Sequence, residues 1–198
     1  MNKRILVPLV LLASAALLPT ACGGGSSDKD KIAEAIETVA TTSDPSNCTE
    51  LETLRFAEQN TTEKGQAAVK ACEAEAEAGE EEAEGANVSN VSVNGDKATA
   101  EAAFEGGSLG SQALEIALVN EDGQWKVDQI EGFANFDGKA LGEAFEKQFE
   151  EEETELTPAQ SRCIGGKIAG LSQAEAEEVF FGGSAEPIIE LAQSCGTS

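Results

Sequence analysis

The apolar positions of this chain change their rhythm three times. Residues 5–18 form an almost unbroken apolar run, and helical spacing governs 28–78. Strict alternation holds over 87–130, and helical spacing returns from 137. In the first helical stretch Ile32, Ile36 and Val39 recur every three to four residues, which predicts a helix over 28–40 with Asp28 or Asp30 as its cap. Asp44-Pro45-Ser46-Asn47 interrupts it. Further helices are expected over 48–56 and 63–78, the latter trailing into the acidic run Glu80 to Glu84. Period two then predicts strands at 87–93 and 97–104 around the turn Asn94-Gly95-Asp96. Ala98, Ala100, Ala102 and Phe104 share one face of the second strand. A third strand over 112–120 turns Leu114, Ile116 and Leu118 inward. Glu121-Asp122-Gly123-Gln124 reverses the chain into a fourth strand at 125–130. Helices followed by four antiparallel strands make an α+β unit.

Beyond 137 the strands disappear. Leu141, Phe145 and Phe149 mark one helix, and Thr157-Pro158 opens a second that carries Cys163, Ile164 and Ile168. Ser172-Gln173-Ala174-Glu175 has the spacing of a capping box and starts a short helix to Phe181. Gly182-Gly183 ends it, and Ser184 is the expected cap of a last helix running to Cys195. Two modules follow from this division: an α+β domain at 31–136 and an all-helical, disulfide-closed module at 137–198.

The N-terminus carries a different kind of signal. Lys3 and Arg4 precede the apolar run, and Leu18-Pro19-Thr20-Ala21-Cys22 places a cysteine directly after small residues. The order positive, apolar, small is that of a secretory signal peptide, and the run is shorter than the roughly 20 residues a bilayer crossing needs. With its cysteine at the expected cleavage point, the segment resembles the bacterial lipoprotein signal, although Pro19 holds a place where that pattern has leucine. The resemblance implies removal of 1–21, lipidation of Cys22 and a tether over 22–30. It places the protein on the extracytoplasmic face of the cell membrane. Two or more acyl chains are needed for firm attachment, since one gives only about 10⁴ M⁻¹.

Charge narrows the partners. The formal net charge is −24, from 37 acidic and 13 basic residues, and loss of Lys3 and Arg4 makes the mature chain more acidic still. Such a chain repels nucleic-acid phosphates and anionic lipid headgroups alike, so nucleic acid is excluded as a partner and membrane attachment falls to the lipid. Of the five cysteines, Cys22 is assigned to lipid, which leaves Cys48, Cys72, Cys163 and Cys195. An even number in an exported chain reads as disulfides. Three pairings are possible, and the sequential one is favoured because each pair brackets a helical segment. Zinc is disfavoured by the absence of histidine and of any C-x-x-C spacing, and no calcium loop motif is present, so neither metal nor cofactor is expected.

Catalytic motifs are thin. Gly106-Gly107-Ser108-Leu109-Gly110 matches G-x-S-x-G formally, but a nucleophile elbow needs a strand-to-helix turn and a histidine, and here the motif sits between two strands. Gly165-Gly166-Lys167 lacks the upstream glycine and the Ser/Thr of a phosphate loop; two glycines in a helix point instead to close helix packing. With neither histidine nor tyrosine in the chain, a catalytic base would have to be a carboxylate such as Glu101, Glu115 or Asp128, and alternation turns all three to solvent. No acid is singled out as buried, and no enzymatic activity is expected.

At Asp122-Gly123-Gln124-Trp125-Lys126-Val127, reached through helices, the chain resembles the NTF2-like (cystatin-superfamily) domains, and in particular lipoprotein members of actinobacterial type. The resemblance covers about residues 28–136. It implies a curved four-stranded antiparallel sheet wrapped around helices, Trp125 in the core, and a concavity lined by Ala98, Ala100, Leu114, Ile116 and Trp125. The expected role is a non-enzymatic binding module for a small apolar ligand, lipid or peptide. The alternative is an interaction domain that docks on an envelope protein; a carboxylate-dependent enzyme ranks last.

Overall fold

The computed structural model describes residues 27–61, 63–79, 83–107, 109–110, 112–151 and 156–196. The signal segment, Cys22 and the start of the tether lie outside the described residues, as does Ser108 of the G-x-S-x-G match. The architecture is α+β: four helices, α1 (Asp28–Thr41), α2 (Asn47–Glu50), α3 (Leu54–Thr61) and α4 (Gln66–Ala78), lead into four strands. These are β1 (Gly85–Asn94), β2 (Lys97–Glu105), β3 (Ala113–Glu121) and β4 (Gln124–Asn135), an open antiparallel sheet in the order β1-β2-β3-β4. Four more helices close the chain: α5 (Gly138–Glu151), α6 (Pro158–Ala169), α7 (Gln173–Phe181) and α8 (Glu186–Gln193). Both sequential disulfides are present, Cys48–Cys72 and Cys163–Cys195.

Local chemistry explains most boundaries. The cap of α1 is Ser27 rather than Asp28 or Asp30: its hydroxyl accepts from the Asp30 amide, and the Asp30 carboxylate accepts from the Ser27 amide. Hydrogen bonds donated to the exposed Asp30 carboxylate by the Ser27 hydroxyl, and then by the Ser27 amide, hold that carboxyl below the usual range. The box draws residues 28–30, the end of the expected tether, into the helix. Thr157 and Ser172 cap α6 and α7 with Gln160 and Glu175 in the same reciprocal way, the second as the sequence spacing predicts. Ser184 does not cap α8, which begins from Ala185 without a side-chain cap.

The β1–β2 and β3–β4 hairpins form through two-residue turns. Gly95 has φ +65° at the first turn position of β1–β2, as a II′ turn requires. Asp122 (φ 53°) and Gly123 (φ +89°) are both left-handed between β3 and β4, the signature of type I′. Within the sheet, small residues of β2 oppose large ones of β3: Ala98 pairs Leu118, Ala100 pairs Ile116 and Ala102 pairs Leu114. That layer packs on Ile32, Ile36, Phe56 and, from the C-terminal helices, Leu141, Ile164, Ile168 and Ala176 in one buried cluster.

Two departures from strict alternation matter. In β1 the left-handed Asn90 (φ 52°) adds one residue opposite β2, so Val88 and Val91, three apart, fall in one phase. In β4 three such irregularities, at Asp128, Glu131 and Ala134, stretch twelve residues along nine of β3. The residues opposite Leu118, Ile116 and Leu114 are consequently Val127, Ile130 and Phe133. A three-residue recurrence inside a strand is invisible to a period-two reading, which is why the predicted strand stops five residues early.

Candidate functional site

The five residues expected to line a concavity are core. Ala98, Ala100, Leu114, Ile116 and Trp125 are each no more than 5% exposed and all belong to the buried cluster. The Trp125 indole N–H, which needs an acceptor when buried, donates to Asp28 Oδ1 at 3.3 Å and so ties the start of α1 to β4. Ala98 reaches a cleft of about 370 Å³ on the polar side of the sheet, beside Arg55, Lys97, Thr99 and Glu131. Trp125 borders another of about 440 Å³ against α1. Of the candidate carboxylates, Glu115 is exposed and Glu101 is half-buried and accepts from Asn90. Asp128 pairs with Arg55 at 3.2 Å and accepts from Thr53 Oγ1. Glu101 and Glu115 are direct cross-strand partners on β2 and β3, while Asp128 lies apart on β4.

The two edges of the sheet are treated differently. On β4 the backbone groups aimed outward are taken up in turn. Val127 N donates to Leu51 O (2.8 Å) and Val127 O accepts from Thr53 N (2.9 Å), a one-residue parallel bridge centred on Glu52. Ile130 N and O are held by the Gln59 side-chain amide at 2.8 and 2.9 Å. Phe133 N donates to Glu177 Oε1 and Phe133 O accepts from Gln173 Nε2. Gly132 makes the last pair possible, because a Cβ there would lie 2.6 Å from Glu177 Oε1. Every third residue of this edge is thus sealed by α3, α7 or the α2–α3 junction.

On β1 no such seal occurs among the described residues. Phe104 N donates to Gln112 O on the β3 side, so Phe104 and Ala102 turn their backbone groups away from β1. Their partners Ala86 and Val88 accordingly aim N–H and C=O at the open side of the sheet. The strand, Gly-Ala-Asn-Val-Ser-Asn-Val-Ser-Val-Asn, contains no charge and no proline, the residues that usually guard an edge. The bulge at Asn90 leaves Gly85–Ser89 as the regular stretch, and α1 packs beside this strand without hydrogen-bonding to its backbone among the described residues.

A second feature escapes the sequence pattern altogether. The single helix expected over 48–56 is broken, because Leu51, Glu52 and Thr53 leave it to pair with β4. Thr53 Oγ1 then accepts from Phe56 N and restarts the helix as α3. The break turns Glu52 inward, beneath the disulfide that clamps α2 to α4. Glu52 is 9% exposed, Cys48 is 3% exposed and Cys72 is half-buried. Glu52 Oε2 lies 3.4 Å from Cys72 Sγ. A disulfide sulfur carries no hydrogen, so this contact is favourable only when Glu52 is protonated and donates. No Lys or Arg pairs with it among the described ion pairs. Burial, with the nearby Glu75 charge adding to it, pushes the Glu52 carboxyl up to about 7. A cleft of about 220 Å³, walled by Val39, Asn47, Glu75 and Ala76 among others, opens onto the group.

Chemically this is a carboxylic acid that titrates near neutrality against a sulfur–sulfur bond. Reduced, Cys48, Cys72 and Glu52 would offer three ligand atoms within 4.8 Å of one another; oxidised, the two sulfurs are not thiolate donors. The only sequence signal was indirect, a glutamate four residues after one cysteine of a bracketed pair. No helix among the described residues is long and apolar enough to cross a membrane. Comparison of the chain with protein-family models, with curated proteins and with solved structures returns no match.

Proposed function

We propose that the protein is an exported interaction module, lipid-anchored through Cys22, that docks an extended segment of a partner polypeptide along β1. The observation that carries this is the asymmetry of the sheet edges: β4 is sealed at Val127, Ile130 and Phe133, whereas β1 offers Ala86 and Val88 unsealed and uncharged. Strand addition uses such backbone groups for affinity and alternate side chains for specificity. The burial of Ala98, Ala100, Leu114, Ile116 and Trp125 in a filled core favours docking over uptake of a small apolar ligand on that face. An NTF2-like curvature is supported by α1, which touches both edge strands, β1 and β4, of the same sheet. The net charge of −24 favours a partner segment of net basic character, by long-range attraction and faster encounter.

The test uses residues 27–196 as bait for a random peptide library. Binders should be extended and basic, and Val88→Pro should abolish their binding while the protein stays folded, because the lost N–H faces outward and serves no ladder bond and the stability cost is confined to the Val88 packing against the core. Binders that survive Val88→Pro, or that map to another surface, would refute edge docking.

A further inference from the structure

The cleft over the α2–α4 clamp has no part in edge docking, yet it joins three features that a purely structural disulfide does not need. Cys72 is half-buried and lines the cleft, Cys48 is almost fully buried, and an acid with no cation beside it among the described ion pairs touches Cys72. We infer that this cleft is a thiol-exchange site, at which a small dithiol reduces Cys48–Cys72 by attacking Cys72 Sγ while Glu52 supplies the proton that Cys48 takes on leaving.

The asymmetry of burial sets the order of events. A thiolate of the dithiol enters the cleft and bonds to Cys72 Sγ, and the Cys48–Cys72 bond breaks with its electron pair on Cys48. A bare thiolate at a position 3% exposed is strongly disfavoured by desolvation, so departure requires a proton at hand. Glu52 has an oxygen within 4.8 Å of both sulfurs and can deliver it. The second thiol of the reagent then attacks its own sulfur in the mixed disulfide and releases Cys72, which takes a proton from water. Glu52 is reprotonated from water in turn. The reagent loses two electrons and two protons and becomes a disulfide; the protein gains two thiols.

The groups around Glu52 fit this role. From α4 it faces Cys72 and Glu75, from α2 Cys48, and from the loop before α2 the cleft is bordered by Asp44, so every charged neighbour in the cleft is acidic and favours the protonated form. From β4 its backbone partner is Val127. The flanking Lys126 is engaged by Thr49 O and Glu121, and Asp128 by Arg55 and Thr53. The Glu52 carboxyl, raised to about 7, is largely protonated below neutrality and available to donate.

The experiment follows reduction of the folded full chain by dithiothreitol across about pH 5.5 to 9, with alkylation and mass mapping of each cysteine and Cys163–Cys195 as internal reference. Reagent thiolate rises about tenfold per pH unit until the pH nears the thiol's own pKa. For Cys48–Cys72 the logarithm of the rate should climb with pH up to about 7 and then flatten, as Glu52 loses the proton it must give. In Glu52→Gln the rate near pH 6 should fall by roughly tenfold or more and the climb should continue unbroken, so that the two proteins converge above about pH 8. Glu75→Gln, which leaves Glu52 in place, should move the break to lower pH. Wild type and Glu52→Gln with parallel profiles would overturn the assignment, as would a Cys48–Cys72 bond that opens no faster than Cys163–Cys195 or a break unmoved by Glu75→Gln.

Discussion

At the scale of single residues, Glu52 acts against stability wherever it is ionised. Its carboxyl titrates near 7 in the folded protein and near 4.5 when exposed, so between those values the native state holds a proton that the unfolded chain has released. Stability therefore falls as pH rises through that window and levels off above it, by about 3 kcal/mol in total for a shift of this size. Glu52→Gln removes the titration. Urea unfolding should show Glu52→Gln gaining on wild type by up to about 3 kcal/mol between about pH 4 and pH 8, and an unchanged difference at the two pH values would refute the buried acid. None of this was legible along the chain, because Glu52 reads as an ordinary polar position in a helix spanning 48–56. Only its pairing with Val127, on a strand 75 residues later, breaks that helix and buries the side chain. Trp125, by contrast, was recognisable as core from its place after a hairpin turn, and its bond to Asp28 explains how the indole N–H is satisfied.

Among the elements, the two tight hairpin turns and the Ser172 capping box were the most legible, because they are set by a few adjacent residues with fixed chemistry, whereas the caps of α1 and α8 fell on Ser27 and Ala185 instead of the expected residues. The β4 strand was least legible beyond Ile130, since its bulges replace period two by period three. The glycine pair in α6 sits between these cases: the close packing it suggested exists, but only one glycine makes it. A Cβ on Gly165 would lie 2.7 Å from Gly142 O in α5, and a Cβ on Gly142 would collide with Gly165 O and lie 2.8 Å from Ala169 Cβ. Gly166 faces open space. Gly142→Ala should thus cost about 1–3 kcal/mol through overpacking of the α5–α6 contact. Gly166→Ala should be neutral or stabilise by up to about 1 kcal/mol through helix propensity. Thermal unfolding of the two variants checks the pair, and equal effects would contradict the packing assigned to α5 and α6.

At the scale of the whole molecule, two disulfides clamp separate parts of an α+β chain whose strong negative charge would otherwise favour expansion. The proposed lipid anchor and export route rest on the residues before Ser27. Intact mass of membrane-extracted protein should give a chain beginning at Cys22 with two or three acyl groups, and reduction should add four protons. A soluble, unlipidated chain would remove the proposed location. The claim on which the functional reading turns is nearer at hand: one edge of the sheet is closed and the other open. Amide hydrogen exchange under native conditions reads both edges at once. The amides of Val127, Ile130 and Phe133, bonded to Leu51, Gln59 and Glu177, should exchange slowly, while those of Ala86 and Val88 should exchange as freely as loop amides. Equal protection of Ala86 and Val88 would mean that β1 is already covered, and docking along it would have to be abandoned.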